Sequence, residues 1–432
     1  MKRVALHTLG CKLNFTETST IGKQFVDQGY SVVELDQPAD VVVINTCSVT
    51  DRADRECRQL VRRALRHSPG AFVAVVGCYA QLQPNKIGKI AGVDIVLGTK
   101  EKLDVLKYVR DARNKLQTDI HVSKINTVDT FSPATSAGFG DRTRAFLKVQ
   151  DGCDYTCTFC TIPLARGVSR SVSPDEIVAQ VREIARGGYK EIVLTGVNVG
   201  DYGKKFESNL PSLLKQITLV DGIERIRISS IEPNLLTDEL LDFWFEHPKL
   251  CKHWHIPMQS GSDRILNAMR RRYLSDVYAG RIHKIKKAFP TAGIGADVIV
   301  GFPGETEEQF ELTRSFIREL PISYLHVFTY SERPNTPAID LADAVEPRVR
   351  AERSEALRVL SARKRRLFHE SFVGKNAEVL FESSTQSNVM TGLTEEYVRV
   401  QVPSVNNLTN QILSVKILSA SDDACRGSVN NE

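Results

Sequence analysis

Short β-branched runs recur through the first hundred residues: RVALHT (3–8), SVVELD (31–36), DVVVINT (40–46), FVAVVG (72–77) and VDIVLG (93–98). Helical stretches such as FTETSTIGKQFVDQG (15–29) separate several of them. This alternation predicts an open parallel sheet flanked by helices. A helical segment over about 100–116 follows. DTFSPATSAGFGDRTR (129–144), rich in Ser, Thr, Gly and Pro, then reads as a linker.

A second strand–helix series starts at AFLKVQ (145–150) and continues through EIVLTG (191–196), RIRISS (225–230), HWHIPM (253–258), GIGADVIVGF (293–302) and YLHVFTY (324–330). Amphipathic helices intervene, as in SPDEIVAQVREIARGG, where Ser173 precedes Pro174 as an N-cap and Gly187 marks the stop. Six such units predict a partial or complete α/β barrel, whose chemistry sits after the carboxyl ends of its strands. Those positions hold DGCDYTCTFC, GVNVGDYG, IEP, QSGSD, PGET and SERPNTP. NAEVLFES, YVRVQV and QILSVKIL then alternate as strands of a small all-β unit, and SASDDACRGSVNNE (419–432) reads as a frayed tail. The predicted fold class is α/β throughout the main body. An open parallel sheet domain (1–128) leads through the linker to a (β/α) barrel with a basic C-terminal helix (145–370), and a small β domain follows (371–432).

The 432 residues are 42% hydrophobic and 25% charged, an ordinary globular composition. MKRVALHTLGC lacks the pattern of a signal peptide, and no apolar run reaches membrane-spanning length, so the expected location is the cytoplasm with no membrane partner. There, nine cysteines are expected as metal ligands or reduced thiols. The net charge of +5 is unevenly spread: DRADRECRQLVRRALR (51–66) holds six arginines against three acids, and EPRVRAERSEALRVLSARKRRL (346–367) eight basic residues against three. Such runs are solvated helix faces unless a polyanion is required. Residues 371–432 carry four basic and seven acidic side chains, unlike an ordinary RNA-binding module.

GCDYTCTFC (152–160) places Cys153, Cys157 and Cys160 directly after the first barrel strand. Three thiolates can hold a 4Fe–4S cube and leave one iron open. They can also form a zinc knuckle with a remote fourth ligand, for which His255 or Cys251 is available. Cys11, Cys47 and Cys78, in HTLGC, INTC and VGCYAQ, each follow a predicted parallel strand, so the sheet's carboxyl edge can gather them. Cys57, Cys251 and Cys425 join neither spacing.

CxxxCxxC, with Phe159 before its last cysteine, resembles the signature of radical S-adenosylmethionine (SAM) enzymes. TLGCKLN, NTCSVT and GCYAQ together with QDGCDYTCTFCTIPLARG resemble the methylthiotransferases over nearly the whole chain. The resemblance implies two 4Fe–4S clusters, one on Cys153, Cys157 and Cys160 and an auxiliary one on Cys11, Cys47 and Cys78, with a TRAM-like barrel at the C-terminus. It implies SAM contacts at the strand ends, for which Thr195, Gly196, Asn198, Glu232, Gln259, Asp297, Gly301 and Glu305 are the candidates. One SAM would methylate a sulfide on the auxiliary cluster, and a second would supply the radical that opens a C–H bond for the methylthio group. TLGCKLNFTET, NTCSVTDRADRECRQ, RISSIEPNLL and HVFTYSERPNTPA are most similar to the branch acting on N6-threonylcarbamoyladenosine beside the tRNA anticodon. The TYGCQMN start of the isopentenyladenosine branch and the SLGCPKN of the protein-aspartate branch are absent. Implied partners are the anticodon stem-loop of tRNA, an electron donor such as flavodoxin or ferredoxin, and a sulfur source. Tyr397 and Phe381 are candidates for stacking on bases. A non-catalytic, zinc-dependent RNA-binding protein is the reading from outside the class.

Overall fold

Five β-branched runs and one further short strand build the first sheet of the computed structural model. In chain order its strands are β1 (Arg3–Thr8), β2 (Ser31–Val33), β3 (Val41–Thr46), β4 (Phe72–Gly77), β5 (Ile95–Leu97) and β6 (Asp119–His121). They lie in the order β2-β1-β3-β4-β5-β6, all parallel. Both faces are covered, so the central strands read as unbroken Val/Ile runs. Val42, Ile44, Val73 and Val75 enter one core and Val43, Ala74 and Val76 the other. Helices α1 (Lys12–Asp27) and α2 (Asp51–His67) follow β1 and β3, and the short α3 (Cys78–Leu82) follows β4. The structure describes all residues except 48–50, 112–116, 141, 384–387, 405 and 430–432, and the side chains of 51–54 and 110–111 also lie outside it. The SVT of NTCSVT, the first acidic and basic side chains of α2, the end of the helix expected to 116 and the last three residues of the tail fall among these.

The stretch 129–144, expected as a linker, is strapped to α1. Thr20 Oγ1 donates to the Thr135 carbonyl at 3.1 Å and accepts from the Thr135 amide at 2.9 Å. A Cβ on Gly22 would lie 2.2 Å from the Phe139 ring, so the missing side chain permits this approach.

Strand β7 (Arg144–Lys148) begins the second series. A two-residue pair, β8 (Gln150–Asp151) with β9 (Arg170–Ser171), ties off the cysteine loop. Then come β10 (Glu191–Thr195), β11 (Arg225–Ile228), β12 (His253–His255), β13 (Gly293–Val300) and β14 (Tyr324–Thr329). Strands β7, β10 and β11 form one parallel sheet and β12, β13 and β14 another. The amide of Cys251 donates to Ile226 (3.0 Å) and that of Ile231 to His255 (3.1 Å), which joins the two into an open six-stranded partial barrel. Ser173 caps the helix Pro174–Arg186 by accepting from the Glu176 amide, and Gly187 ends it.

Alternation along these strands separates two surfaces. Ala145, Leu147, Ile192, Leu194, Ile226, Trp254, Ile294, Ala296 and Val298 pack outward into the main core. The opposite face carries Arg144 and Lys148, Glu191, Arg227, His253 and His255, Asp297, and Tyr324 and His326. The barrel therefore encloses a polar lumen.

The C-terminal unit is a closed five-stranded barrel of β15 (Asn376–Phe381), β16 (Val389–Thr394), β17 (Arg399–Pro403), β18 (Ile412–Ala420) and β19 (Cys425–Val429). The expectation of a frayed tail is corrected here. CRGSV is a strand, antiparallel to β18 and parallel to β17, with Cys425 and Gly427 buried. A Cβ on Gly427 would lie 2.5 Å from Val415, so the close approach that builds this strand depends on a residue of low β-propensity. The turn after β16 plugs the lumen at the amino ends of the barrel strands. The Glu396 carbonyl sits where a Gly293 Cβ would project, and Tyr397 (φ +73°) stacks on His253 at 4.6 Å. Arg225 and Arg227 donate to the carbonyls of Leu393, Thr394 and Glu395. Tyr397 is thus committed to the lumen and Phe381 to the small barrel's core, so neither forms an outward platform for bases. No helix among the described residues is long and apolar enough to cross a membrane.

Candidate active site

The loop after β7 is shaped before any ligand enters. Gly152 has φ +69°, and a Cβ there would meet the Val168 carbonyl at 2.0 Å, so only glycine fits. The Cys153 amide donates to the Gly167 carbonyl (3.0 Å), the Cys160 amide to Cys157 (3.1 Å), and Thr158 is pinned to Met269 (3.1 Å). Each sulfur accepts one hydrogen bond: Cys153 from the Tyr155 amide (3.4 Å), Cys160 from the Ile162 amide (3.4 Å), and Cys157 from the Arg271 guanidinium (3.1 Å). Burial pushes the Cys153 and Cys160 thiols up to about 12, and the charges of the neighbouring thiols add to the shift. Three thiols whose ionised forms would repel one another are suited to a cation, whose binding displaces their protons.

The second trio forms at the carboxyl edge of the first sheet. The pairing Thr46↔Gly77 sets Cys47 and Cys78 at neighbouring strand ends, and Cys11 precedes α1. A Cβ on Gly10 would lie 2.9 Å from the Cys47 sulfur. Cys11 is open to solvent at the rim, yet its crowded surroundings raise its thiol, with Arg166 opposing and Cys78 adding to the shift.

Arg166 lies between the trios. It donates to the Cys78 sulfur (3.3 Å), to Asn14 (2.7 Å), to Glu17 (3.0 and 3.1 Å) and to Asp151 (2.9 Å). Lys102 reaches Glu17 at 2.7 Å, and Lys148 reaches Asp151 at 2.7 Å. All these charges are buried. Burial alone would raise the Glu17 carboxyl, but Arg166, Lys102 and Lys148 hold it far below its ordinary value. Asn14 and Glu17 follow Cys11 on α1, while Asp151 precedes Cys153 by two residues. One ionic network therefore fixes both cysteine sites relative to each other.

A cavity of about 240 Å³ opens beside the first trio, lined by Phe159, Cys160, Gln259, Asp297, Ile299 and Phe328. Gln259 (φ +63°) is held by a bridge to β13, and Asp297 accepts from His255 (2.9 Å) and His326 (3.2 Å). Glu232 pairs with Arg271, the donor to Cys157. At the end of β10, Thr195 Oγ1 and Asn198 Oδ1 are buried without a hydrogen-bond partner. Gly196 packs on Gln150, whose side-chain Oε1 accepts from the Asn198 backbone amide (2.8 Å). Gly301 and Glu305 serve differently. Glu305 accepts from the Gly301 amide (2.9 Å) and pairs with Arg353 (2.8 Å), anchoring the helix Pro347–Glu370, and neither residue lines the cavity. Arg271 carries no motif signal of its own, whereas Arg166 and His326 lie within motifs, and Asp297 and His255 are candidates from the sequence, without their partners being legible there. Charged residues at alternate positions of parallel strands were the available clue.

Among the described residues, the one trio of His, Cys, Asp or Glu ligand atoms within 4.8 Å of one another is His255, Asp297 and His326. Tetrahedral zinc with Zn–S near ~2.3 Å needs sulfurs about 3.8 Å apart, and neither cysteine trio closes that far. His255 is bonded to Asp297, and Cys251 is buried beside Arg227. Wider thiol spacing, orphaned polar atoms and a glycine-only loop fit a cluster with a polar cosubstrate.

The basic helices divide their charge. Arg350 and Arg353 are buried in ion pairs with Glu332 and Glu305, and Arg365 and Arg366 pair with Asp423 and Glu370. Beside α2, Arg62, Arg63 and Arg66 line a cleft of about 990 Å³ with His7 and Leu9 from the end of β1.

A barrel with a three-cysteine loop after its first strand, linked through Arg166 to the sheet edge that carries a second trio, is the architecture expected of a radical SAM enzyme. The model described as Radical SAM superfamily matches residues 147–317, and that of Uncharacterized protein family UPF0004 matches 3–98. The chain is 43% identical over 426 residues to threonylcarbamoyladenosine tRNA methylthiotransferase MtaB of Bacillus subtilis, covering 97% of this chain and 94% of that one. It is 34% identical to the tRNA-2-methylthio-N(6)-dimethylallyladenosine synthase of Fusobacterium nucleatum, covering 96% and 97%. Among solved structures, the radical SAM methyltransferase TsrM of Kitasatospora setae aligns with a TM-score of 0.58 at 14% identity, over 78% of this chain and 75% of that one, a likeness of fold. The chain belongs to the family of radical SAM tRNA methylthiotransferases. Its cofactors are SAM and a 4Fe–4S cluster, with the second cluster that methylthiotransferases carry.

Proposed function

We propose that the enzyme inserts a methylthio group at C2 of N6-threonylcarbamoyladenosine at position 37 of tRNA. In this reading Cys153, Cys157 and Cys160 hold the cluster that works with SAM, and Cys11, Cys47 and Cys78 hold the auxiliary cluster. When bound, the first cluster and SAM supply a carbon radical that removes hydrogen, and the second supplies the sulfur. The chain's own residues shape that exchange. Arg271 steadies Cys157 and orients Glu232; Thr195 and Asn198 offer unpaired acceptors and a hydroxyl to SAM; Gln259 and Asp297 line the cavity beside Phe159. The arginines of α2 supply the positive field for the phosphates of an anticodon stem-loop. An electron donor of the flavodoxin or ferredoxin class and a sulfur source complete the requirement.

The observation that supports the reading is the Arg166 network, which ties Cys78 of one trio to Asp151, two residues before Cys153 of the other. The choice of nucleoside rests on MtaB-named relatives at 35–43% identity, against 31–34% for relatives named for dimethylallyladenosine. Nucleoside mass spectrometry of tRNA from a deletion strain is the test. Loss of 2-methylthio-threonylcarbamoyladenosine is expected; its undiminished persistence refutes the assignment, and loss of the isopentenyl product instead reassigns the substrate.

A further inference from the structure

The cations facing the lumen are mostly neutralised. Arg144 pairs with Glu382 at 2.9 Å, Arg227 with Glu191 at 2.8 Å, and Lys148 with Asp151 at 2.7 Å. Lys12 differs: among the described residues no carboxylate lies within ion-pair reach of it. Its ammonium sits 5.5 Å from the centroid of Tyr397, at the base of the lumen. Burial, then Arg227 and Lys12, hold His253 neutral, so the field of this ammonium is felt inside the barrel. Helix stability does not account for the residue. Lys12 is the first residue of α1, whose first turn has no acid, and a cation at a helix N-terminus is unfavourable. Contact with one aromatic ring is a weak return for a partly desolvated charge in that position.

Lys12 also follows Cys11 directly, so a substrate atom presented to the second trio brings its neighbouring substituents past this side chain. In adenine, C2 and the N6 substituent flank the same N1 edge. The lumen offers that substituent a polar wall in the half-exposed His326.

We propose that Lys12 forms a carboxylate subsite, which takes the carboxylate of the amino-acid moiety on N6 of the target adenosine. The inference rests on the substrate reading above and deepens it. An apolar N6 substituent would desolvate the ammonium with no compensating pair, so the same side chain selects for an acidic group and against an alkyl one.

The test is equilibrium binding of the cluster-loaded enzyme to two anticodon stem-loop oligonucleotides, one bearing N6-threonylcarbamoyladenosine and the other its neutral methyl ester. The wild-type enzyme should favour the acid by roughly tenfold to hundredfold, the range of a charged hydrogen bond. Lys12→Gln should collapse that ratio to within about threefold of unity, and Lys12→Arg should restore most of it, with iron content and cluster spectra matched to wild type. A ratio unchanged in Lys12→Gln, or no preference in the wild-type enzyme, overturns the subsite. Turnover separates the two levels. If wild-type enzyme makes methylthio product on the acid RNA while its binding ignores Lys12, the subsite falls and the substrate reading stands. If it makes none, the substrate reading falls and the subsite with it.

Discussion

Arg166→Gln removes the guanidinium that joins α1, the radical loop and Cys78. Five contacts of 2.7–3.3 Å disappear, and two buried carboxylates lose a counter-charge. Breaking a buried ion pair from one side costs about 3–5 kcal/mol. Lys102 and Lys148 remain at 2.7 Å from Glu17 and Asp151, which puts the expectation near the lower end, about 3 kcal/mol. At roughly 2–4 °C per kcal/mol for units of this size, the melting temperature should fall by about 6–12 °C. The assay is anaerobic calorimetry of cluster-loaded wild-type and variant enzymes, with the partner change Glu17→Gln and the double variant completing a cycle. The two single losses should be strongly non-additive, because both report one network. Electron paramagnetic resonance of the reduced enzyme should show a shifted auxiliary signal, since the Cys78 sulfur loses a donor, and little change in the other. A melting temperature within 2 °C of wild type, or additive single effects, would refute the account of Arg166 as the joint between the sites.

Cys157→Ala should abolish deoxyadenosine formation from SAM, whereas Cys47→Ala should still form deoxyadenosine yet yield no methylthio product; product from Cys47→Ala contradicts the division of roles. Gly152→Ala forces a Cβ to 2.0 Å from the Val168 carbonyl, so iron analysis after anaerobic reconstitution should drop from about eight to about four per chain. Retention of the full iron complement would show that the loop tolerates the clash. Burial pushes the Cys251 thiol up to about 12, while the unfolded thiol ionises near ~8.5. The unfolded chain then releases its proton first, so the stability from this group is present below pH ~8.5 and declines above it by up to about 1.4 kcal/mol per pH unit. Urea midpoints from pH 7.5 to 10 should fall more steeply for wild type than for Cys251→Ala, and parallel curves would refute this.

The architecture was readable where chemistry and periodicity agree. The Val/Ile runs of the first sheet and the six strands of the second appear where the pattern places them, and both cysteine trios sit just after their strands. Boundaries blurred where a glycine interrupts the strand pattern: VMTGLT (389–394) holds Gly392 and CRGSV (425–429) holds Gly427, and both are fixed by pairing with neighbouring strands. The joint between the sites was hidden for a different reason. Lys102 and Lys148 look like ordinary charges, Glu17 and Arg166 lie inside motifs that do not reveal their pairing, and only the fold brings residues up to 152 positions apart into hydrogen-bond contact. A sharper signal lay in RIRIS. Parallel strands are usually apolar on both faces, so arginine at alternate positions marks a lumen that is not a packed core.

The turn carrying Glu396 and Tyr397 acts as a stopper, and this bears on how the chain can be dissected. Ending it at residue 370 would uncork the larger barrel, leaving Arg225 and Arg227 without their carbonyl acceptors and His253 without its stacking partner. The C-terminal module is therefore not a detachable RNA handle. Exchanging it between relatives should succeed only when the donor's turn matches the recipient's socket, glycine for glycine and ring for ring.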